Sequence, residues 1–275
     1  RPQKGRFRQF MQCDIDILGE PSNLAEIELI LATTTTLGKL GFSNFKVRIN
    51  ERRILKAMVA YSGFPEEQYD LVFIILDKMD KIGLDGVKAE LLESGFTQEM
   101  VDKYGRLFEG MQAADDAIAY LAGELGDYLE EGVADSLSEI RTSVGATVDG
   151  NFEIVFDPTL VRGMCYYTGT IFEISMPELG AACGGGGRYD KMVGKFTGKD
   201  TPACGFSIGF ERIITILLDQ GFQVPGSAEK IAFLVEKGMD ADRLCDVIGE
   251  AQKLRSEGRQ VLVVRMKIKN SRRNS

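Results

Sequence analysis

The sequence predicts an α+β chain: a helix-covered sheet, interrupted by a helical insertion and followed by a separate small α/β unit. Three observations lead there. Strand-like alternation with a period of two occurs at residues 13–17, 45–49 and 152–156. Between the second and third of these, residues 51–140 carry helical patterns punctuated by Gly63, Gly83, Gly95 and Gly132. A linker signal, Pro225-Gly226-Ser227, then precedes a β-α-β pattern. With 275 residues, 44% hydrophobic and 27% charged, the chain has the length of one large or two ordinary domains and an ordinary globular balance. The expected division is a sheet domain in two pieces, 1–50 and 141–224, a helical insertion at 51–140, and a partial α/β domain at 228–275.

The first strand, Cys13-Asp14-Ile15-Asp16-Ile17, follows a basic-aromatic opening, Arg6-Phe7-Arg8. Its apolar face is backed by Gln12, Asp14 and Asp16 on the other, either a solvated edge or a functional face. Pro21-Ser22-Asn23 supplies helix-start chemistry, and Leu24, Ile27, Leu31 and Leu37 carry a helix to about Leu40. Gly41 suits the position just past its end. Phe45-Lys46-Val47-Arg48-Ile49 alternates as the next strand. Insertion helices are expected at 53–62, 66–82, 84–93, 98–111 and 114–130. Residues 111–160 hold eleven acids and one base, Arg141, and read as a solvated helix face that repels nucleic-acid phosphate. Strands return at 152–156, closed by Asp157-Pro158, and at 164–174, which is rich in Tyr, Thr, Ile and Phe. The stretch 204–218 reads as a strand breaking into a buried helix, with Gly209 at the junction allowing close backbone packing or ligand approach. In the last unit a strand is expected at 230–235, a helix at 240–256 and a strand at 261–265.

Composition removes several kinds of function. Lys plus Arg count 33 against 41 Asp plus Glu, a net charge of -8, which excludes a uniformly basic nucleic-acid coat. Histidine is absent, so Ser-His-Asp and Cys-His catalysis, His-built zinc sites and His pH switches are excluded. The five cysteines, Cys13, Cys165, Cys183, Cys204 and Cys245, are widely spaced and show no metal or disulfide framework. The apolar runs fall far short of the roughly 18 residues of a membrane span. A cytoplasmic protein with reduced thiols, no metal-binding residues and no membrane partner is therefore expected. The opening Arg1 and the polar tail Asn270 to Ser275 read as a fragment with both ends missing.

Chemistry concentrates in arginines and glycines. The run Gly184 to Gly187 fits neither a Walker A loop nor a dinucleotide fingerprint, and on the residues alone it reads as a loop. Arg162 lies between Val161 and Gly163, Arg188 follows the four glycines, and Arg212 sits inside an apolar helix pattern beside Glu211. An arginine in such surroundings is either paired or faces a ligand. Taken with Arg6 and Arg8, which flank Phe7 near Phe10, the set favours a ligand. Guanidinium forks hold phosphate oxygens and a ring stacks on a base, as a nucleoside triphosphate requires.

Four stretches carry a specific resemblance. Residues 1–12, Arg1-Pro2-Gln3-Lys4-Gly5-Arg6-Phe7-Arg8-Gln9-Phe10-Met11-Gln12, resemble the second half of motif 2 of class II aminoacyl-tRNA synthetases in its histidyl form. Leu160-Val161-Arg162-Gly163-Met164-Cys165-Tyr166-Tyr167-Thr168-Gly169-Thr170-Ile171-Phe172-Glu173 is similar to the first histidine-binding motif of histidyl-tRNA synthetases, and Gly185-Gly186-Gly187-Arg188-Tyr189-Asp190 to the second. Gly205-Phe206-Ser207-Ile208-Gly209-Phe210-Glu211-Arg212 resembles motif 3. The four stand in family order, with a helical insertion between the first two.

The resemblance implies the class II antiparallel sheet with flanking helices, a helical insertion and a C-terminal α/β anticodon-binding domain. It implies ATP as substrate with Mg²⁺, and histidine and histidine tRNA as partners, in a homodimer. Phe10 and Arg212 would sandwich the adenine, Arg6 and Arg212 would hold the outer phosphates, and Arg162 would act at the α-phosphate. Gln12, Asp16, Tyr167 and Tyr189 would hold the histidine ammonium and imidazole, with Tyr166 and Asp190 in support. Cys165 departs from the acid or small residue usual in the family and reads as packing. Motif 1 and the first half of motif 2 would precede Arg1, so the chain as given is expected to activate histidine weakly. The competing readings are a catalytically silent, histidine-sensing regulatory subunit of ATP phosphoribosyltransferase and a tRNA-sensing domain of a regulatory kinase. The intact Arg162-Gly163 and Tyr166-Tyr167 and the β-α-β pattern after 228 speak against the first, and Phe10 and Arg212 against the second. The basic end, Arg265, Lys267, Lys269, Arg272 and Arg273, either meets phosphate or is a solvated tail.

Overall fold

The computed structural model describes residues 8–147, 152–161, 166–222 and 230–266. The chain divides into two compact units, Arg1–Leu217 and Leu218–Ser275.

Among the described residues the first unit contains six strands: β1 (Gln12–Leu18), β2 (Phe45–Glu51), β3 (Phe152–Phe156), β4 (Thr170–Met176), β5 (Ala181–Arg188) and β6 (Ala203–Gly209). Their order is β1-β6-β5-β4-β2-β3. Every neighbouring pair is antiparallel except β2 and β3, which run parallel. The insertion explains the exception, because a chain that leaves β2 and returns beside it in the same direction needs a long helical crossover. The sheet is thus mostly antiparallel with flanking helices, as expected, and has one parallel pair.

Helix α1 (Leu24–Lys39) lies against β1 and β6, and ends at Gly41, whose φ of 89° is the left-handed turn that glycine adopts without strain. The insertion contains α2 (Arg52–Ser62), α3 (Tyr69–Leu76), α4 (Met79–Glu93), α5 (Gln98–Ala113) and α6 (Ala117–Leu125). Gly83, at φ 67° and ψ 176°, kinks α4 where the sequence pattern placed a break. A further helix, α7 (Val133–Gly145), packs on α1, β2 and β3. It lies within the acidic stretch and had no expected counterpart. Its Val133, Leu137, Ile140 and Val144 form one narrow buried stripe while Asp135 and Glu139 stay exposed. Insertion and sheet share one hydrophobic core, in which Leu55, Met58, Phe73 and Leu107 join Phe45, Ile49, Phe172 and Ile174. Each such buried side chain contributes on the order of 1.5–3 kcal/mol.

Two expectations need correction. The strand expected at 164–174 begins only at Thr170, and residues 162–165 lie outside the described residues. The glycine run is not a loop but the strand β5, hydrogen-bonded on both sides. Glycine is required there by close approach. A Cβ at Gly186 would strike the Gly205 carbonyl oxygen, one at Gly184 would lie 2.7 Å from the Ser207 carbonyl oxygen, and one at Gly187 would lie 2.6 Å from that of Thr170. Beyond β5, α8 (Asp190–Thr197) follows Tyr189 directly, and β6 runs into α9 (Phe210–Asp219).

The second unit contains β7 (Lys230–Val235), α10 (Ala241–Ser256) and β8 (Gln260–Arg265), with β7 and β8 parallel. Asp240 caps α10 by accepting the Arg243 N–H at 2.9 Å. Of the basic end, residues 267–275 lie outside the described part. Among the described residues no helix is long and apolar enough to cross a membrane.

Candidate active site

The edge strand β1, the glycine strand β5 and strand β6 together form the walls of a cavity of about 300 Å³. Gln12, Asp14 and Asp16 face it from β1, following the period-two alternation. Gly185, Gly205, Phe206 and Ser207 come from the two inner strands, and Tyr166, Tyr167, Tyr189 and Met192 complete the lining. The size suits a ligand no larger than an amino acid or a similar small molecule. A second cavity of about 380 Å³ adjoins it, shares Tyr166, Tyr167 and Met192, and reaches α2 and α3 through Arg52 and Tyr69.

The polar contacts are specific. The Tyr189 hydroxyl donates to Asp16 Oδ1. Burial, and then this hydrogen bond, push the Tyr189 phenol above its ordinary range, so it keeps its proton and remains a donor. Gly205 makes room for the pair: a Cβ there would collide with Asp16 Oδ1 and lie 3.1 Å from the Tyr189 ring. Gln12 Nε2 donates to Ser207 Oγ at 2.5 Å, which leaves the Gln12 amide oxygen as an acceptor. The rings of Tyr166 and Tyr167 lie 4.2 Å apart, tilted by 49°.

Gln12, Asp16, Tyr167 and Tyr189, the four residues singled out in the sequence for one ligand, are therefore brought to one cavity. Phe10 and Arg212 are not part of its lining. Phe10 stands 59% exposed just before β1, and Arg212, in the first turn of α9, donates to the Ala182 carbonyl oxygen. Arg6 and Arg162 lie outside the described residues.

Arg188 does not face a ligand, which corrects the reading of the arginines as a set. Its guanidinium is held by Glu26 on α1 through Nε and Nη2, both at 2.6 Å, and by the carbonyl oxygens of Ser22 at 2.8 Å and Glu20 at 3.1 Å. Asp190 Oδ1 adds a contact at 3.3 Å. The pair welds α1 to the end of β5, behind the cavity wall that Tyr189 forms. Cys204 is buried beside it, and burial pushes its thiol well above the ordinary range, so it serves as packing and not as a nucleophile.

Three contacts at or behind the site had not been singled out: Ser207 with Gln12, Glu26 with Arg188, and Glu211 with Met11. The carboxylate of Glu211 accepts the Met11 N–H at 2.7 Å. The signal for Glu26 was its place as a buried acid in the apolar pattern of α1; Ser207 offered none. Among the described residues no group of three or more acidic or thiol side chains converges on one point to make a metal site.

Comparison with known proteins agrees with this architecture. A family model described as histidyl-tRNA synthetase matches residues 1–213. The histidine–tRNA ligase of Leifsonia xyli subsp. xyli (strain CTCB07) is 43% identical over 269 residues, covering 95% of this chain and 60% of that protein. The chain thus spans about 60% of the length of that relative. The crystal structure of histidyl-tRNA synthetase from Nostoc sp. PCC 7120 superposes with a TM-score of 0.71 at 28% identity, covering 96% of this chain and 63% of that one. A structure titled ATP phosphoribosyltransferase regulatory subunit/histidyl-tRNA synthetase, from Bacillus halodurans C, shares the fold at 22% identity, with a TM-score of 0.68 and coverage of 96% of this chain and 65% of that one.

Proposed function

The chain belongs to the histidyl-tRNA synthetase family, and we propose that the whole protein containing it joins histidine to histidine tRNA by way of a histidyl-adenylate. The observation that carries this reading is the Asp16–Tyr189 pair in the wall of an amino-acid-sized cavity, with Gln12 and Tyr167 beside it. A carboxylate, an amide oxygen and phenol oxygens are the acceptors that an ammonium and an imidazolium N–H seek.

In the proposed reaction the histidine carboxylate attacks the α-phosphorus of ATP and pyrophosphate leaves. The hydroxyl of the terminal adenosine of the tRNA then attacks the acyl carbon, its proton passes to the adenylate phosphate, and AMP leaves. The first attack uses an oxygen that is already ionised, so it needs positioning and charge stabilisation and no protein base. That suits a chain with no histidine. Phe10 and Arg212 take the adenine between them, Arg6 and Arg212 hold the outer phosphates, and Arg162 neutralises charge at the α-phosphate. Mg²⁺ enters with the nucleotide, as an ion bound chiefly by phosphate oxygens needs only one or two protein carboxylates. The whole protein acts as a homodimer in the cytoplasm.

A second reading, a histidine-sensing regulatory subunit of ATP phosphoribosyltransferase, has in its favour the fold shared with the Bacillus halodurans structure. The two readings differ in adenylate binding. Thermal melting of the protein with a non-hydrolysable histidyl-adenylate analogue, beside the same analogue carrying other amino acids, tests the first. Ligand at a hundred times its Kd stabilises the folded state by about 2.7 kcal/mol, a readily measured rise in Tm. A rise confined to the histidyl analogue, with charging of histidine tRNA, supports the ligase. A rise with histidine alone and none beyond it with the analogue supports the sensor.

A further inference from the structure

We propose that Glu211 is a positioning residue: its carboxylate fixes the segment carrying Phe10 against the helix carrying Arg212 and so sets the two sides of the nucleotide site. The proposal rests on the reading of Phe10 and Arg212 as nucleotide ligands. It starts from an irregularity where the sheet ends. The β1–β6 ladder has Gln12 opposite Gly209, and one step further the Phe210 N–H still donates to the Met11 carbonyl oxygen at 3.3 Å. The return bond, from the Met11 N–H, would need the Phe210 carbonyl. Phe210 is the first residue of α9, and helix geometry directs its carbonyl along the helix axis. Glu211 Oε1 takes its place and accepts the Met11 N–H at 2.7 Å, across 200 residues of sequence. A carboxylate acceptor makes this a charge-assisted bond.

The consequence falls on one side of the site. Arg212 has its own anchor in the Ala182 carbonyl, and its aliphatic stem passes 3.2 Å from where a Gly209 Cβ would lie. Phe10 is exposed and adjoins Met11, so the two Met11 bonds to Phe210 and Glu211 tie its backbone to α9. Without the carboxylate, Arg212 keeps its place and Phe10 loses half of that attachment. The histidine cavity, lined from Gln12 onward, lies inside the intact ladder. An acid in the first turn of a helix also favours the helix dipole, but that role needs no partner and no particular geometry.

The test compares the whole protein with E211A and with E211Q, which keeps an acceptor oxygen and loses the charge. Calorimetric titration with a non-hydrolysable ATP analogue and, separately, with histidine gives the two affinities, and NMR hydrogen exchange reads the Met11 amide. E211A is expected to weaken the ATP analogue about tenfold and speed Met11 exchange about as much, with histidine affinity within about twofold, while E211Q stays within about threefold of wild type throughout. Unchanged ATP affinity in E211A, an equal fall for histidine, or E211Q as weak as E211A would each overturn the proposal. Histidine-dependent ATP–pyrophosphate exchange by the wild type judges the functional reading separately. A protein that binds ATP but does not exchange defeats that reading, and the affinity ratios still decide the role of Glu211. A protein that binds no ATP defeats both.

Discussion

Replacing Glu26 by Gln removes the charge that balances Arg188 while leaving the shape almost unchanged. Glu26 is 1% exposed and Arg188 8%, so neither can turn to solvent for compensation. The guanidinium makes two bonds of 2.6 Å to Glu26, and its other acceptors are the Ser22 and Glu20 carbonyls and a longer contact to Asp190. Burial works against its charge, but Glu26 overrides this and the Arg188 pKa is raised. Breaking a buried pair from one side leaves an uncompensated charge and costs about 3–5 kcal/mol, against total domain stabilities of about 5–15 kcal/mol. Glu26→Gln and Arg188→Met are each expected to fall in that range. The double variant Glu26→Leu with Arg188→Met should recover most of the loss, because neither charge is then stranded. Urea denaturation of the whole protein, followed by circular dichroism at pH 7, measures this as a lower midpoint with the slope unchanged. A loss below about 1 kcal/mol for Glu26→Gln would mean the pair behaves as a solvated surface contact, and the assignment of Arg188 to structure would fall. So would a large drop in ATP affinity for Arg188→Met with stability intact.

Three further outcomes follow from the same geometry. Tyr189→Phe removes the donor to Asp16 and is expected to weaken histidine binding about tenfold with ATP binding unchanged, as for a hydrogen bond to a charged group; calorimetry with each ligand checks it, and a loss of ATP binding would be the wrong result. Gly205→Ala puts a Cβ where Asp16 Oδ1 now lies, so histidine affinity should fall at least about tenfold while stability drops by only about 1–3 kcal/mol, since Asp16 is exposed enough to swing aside. Asp116 caps α6, accepting from Ile118 N at 2.9 Å and Ala119 N at 3.2 Å, and also pairs with Arg141, so Asp116→Ala should cost about 1 kcal/mol. The Arg141 hydrogen bond is the leading cause that lowers the Asp116 pKa; a depressed acid stabilises above its unfolded pKa and loses that contribution as pH falls through the folded value, so the difference between wild type and variant should vanish only below the ordinary carboxylate range.

What the sequence made legible was what local patterning determines. α1 with its Gly41 ending, the strand at 152–156 and the passage from β6 to α9 all follow from periodicity and glycine placement within a dozen residues. Where a distant partner decides, local reading fails. Four glycines have low strand propensity, yet Gly184, Gly186 and Gly187 form β5 because the carbonyls of Ser207, Gly205 and Thr170 leave no space for a side chain. Arg188 could be either paired or ligand-facing in the sequence, and its partner lies 162 residues away. The grouping of Asp16 with Tyr189, 173 residues apart, was available only through the resemblance of motifs, since no spacing rule links them. Glu211 was noticed beside Arg212, but its bond to Met11 depends on where a strand ends and a helix begins, a boundary that patterning places only to within a few residues.

Histidine binding, as proposed, should depend on pH through the ligand itself. The chain contains no histidine of its own. Tyr189 is pushed above the phenol range, first by burial and then by Asp16, and the nearby thiol of Cys204 is pushed up by burial. Both raised groups keep their protons near neutrality, and any stability tied to them is lost only as pH rises past their ordinary values. On the proposed function the ligand brings an imidazole, whose free pKa of about 6.5 lies between about pH 5 and 8. The Kd for histidine should therefore show an inflection in that range, and an analogue with a ring that does not titrate should show none. The same inflection with both ligands would mean that a protein group is titrating, and the assignment of the inflection to the ligand would fall.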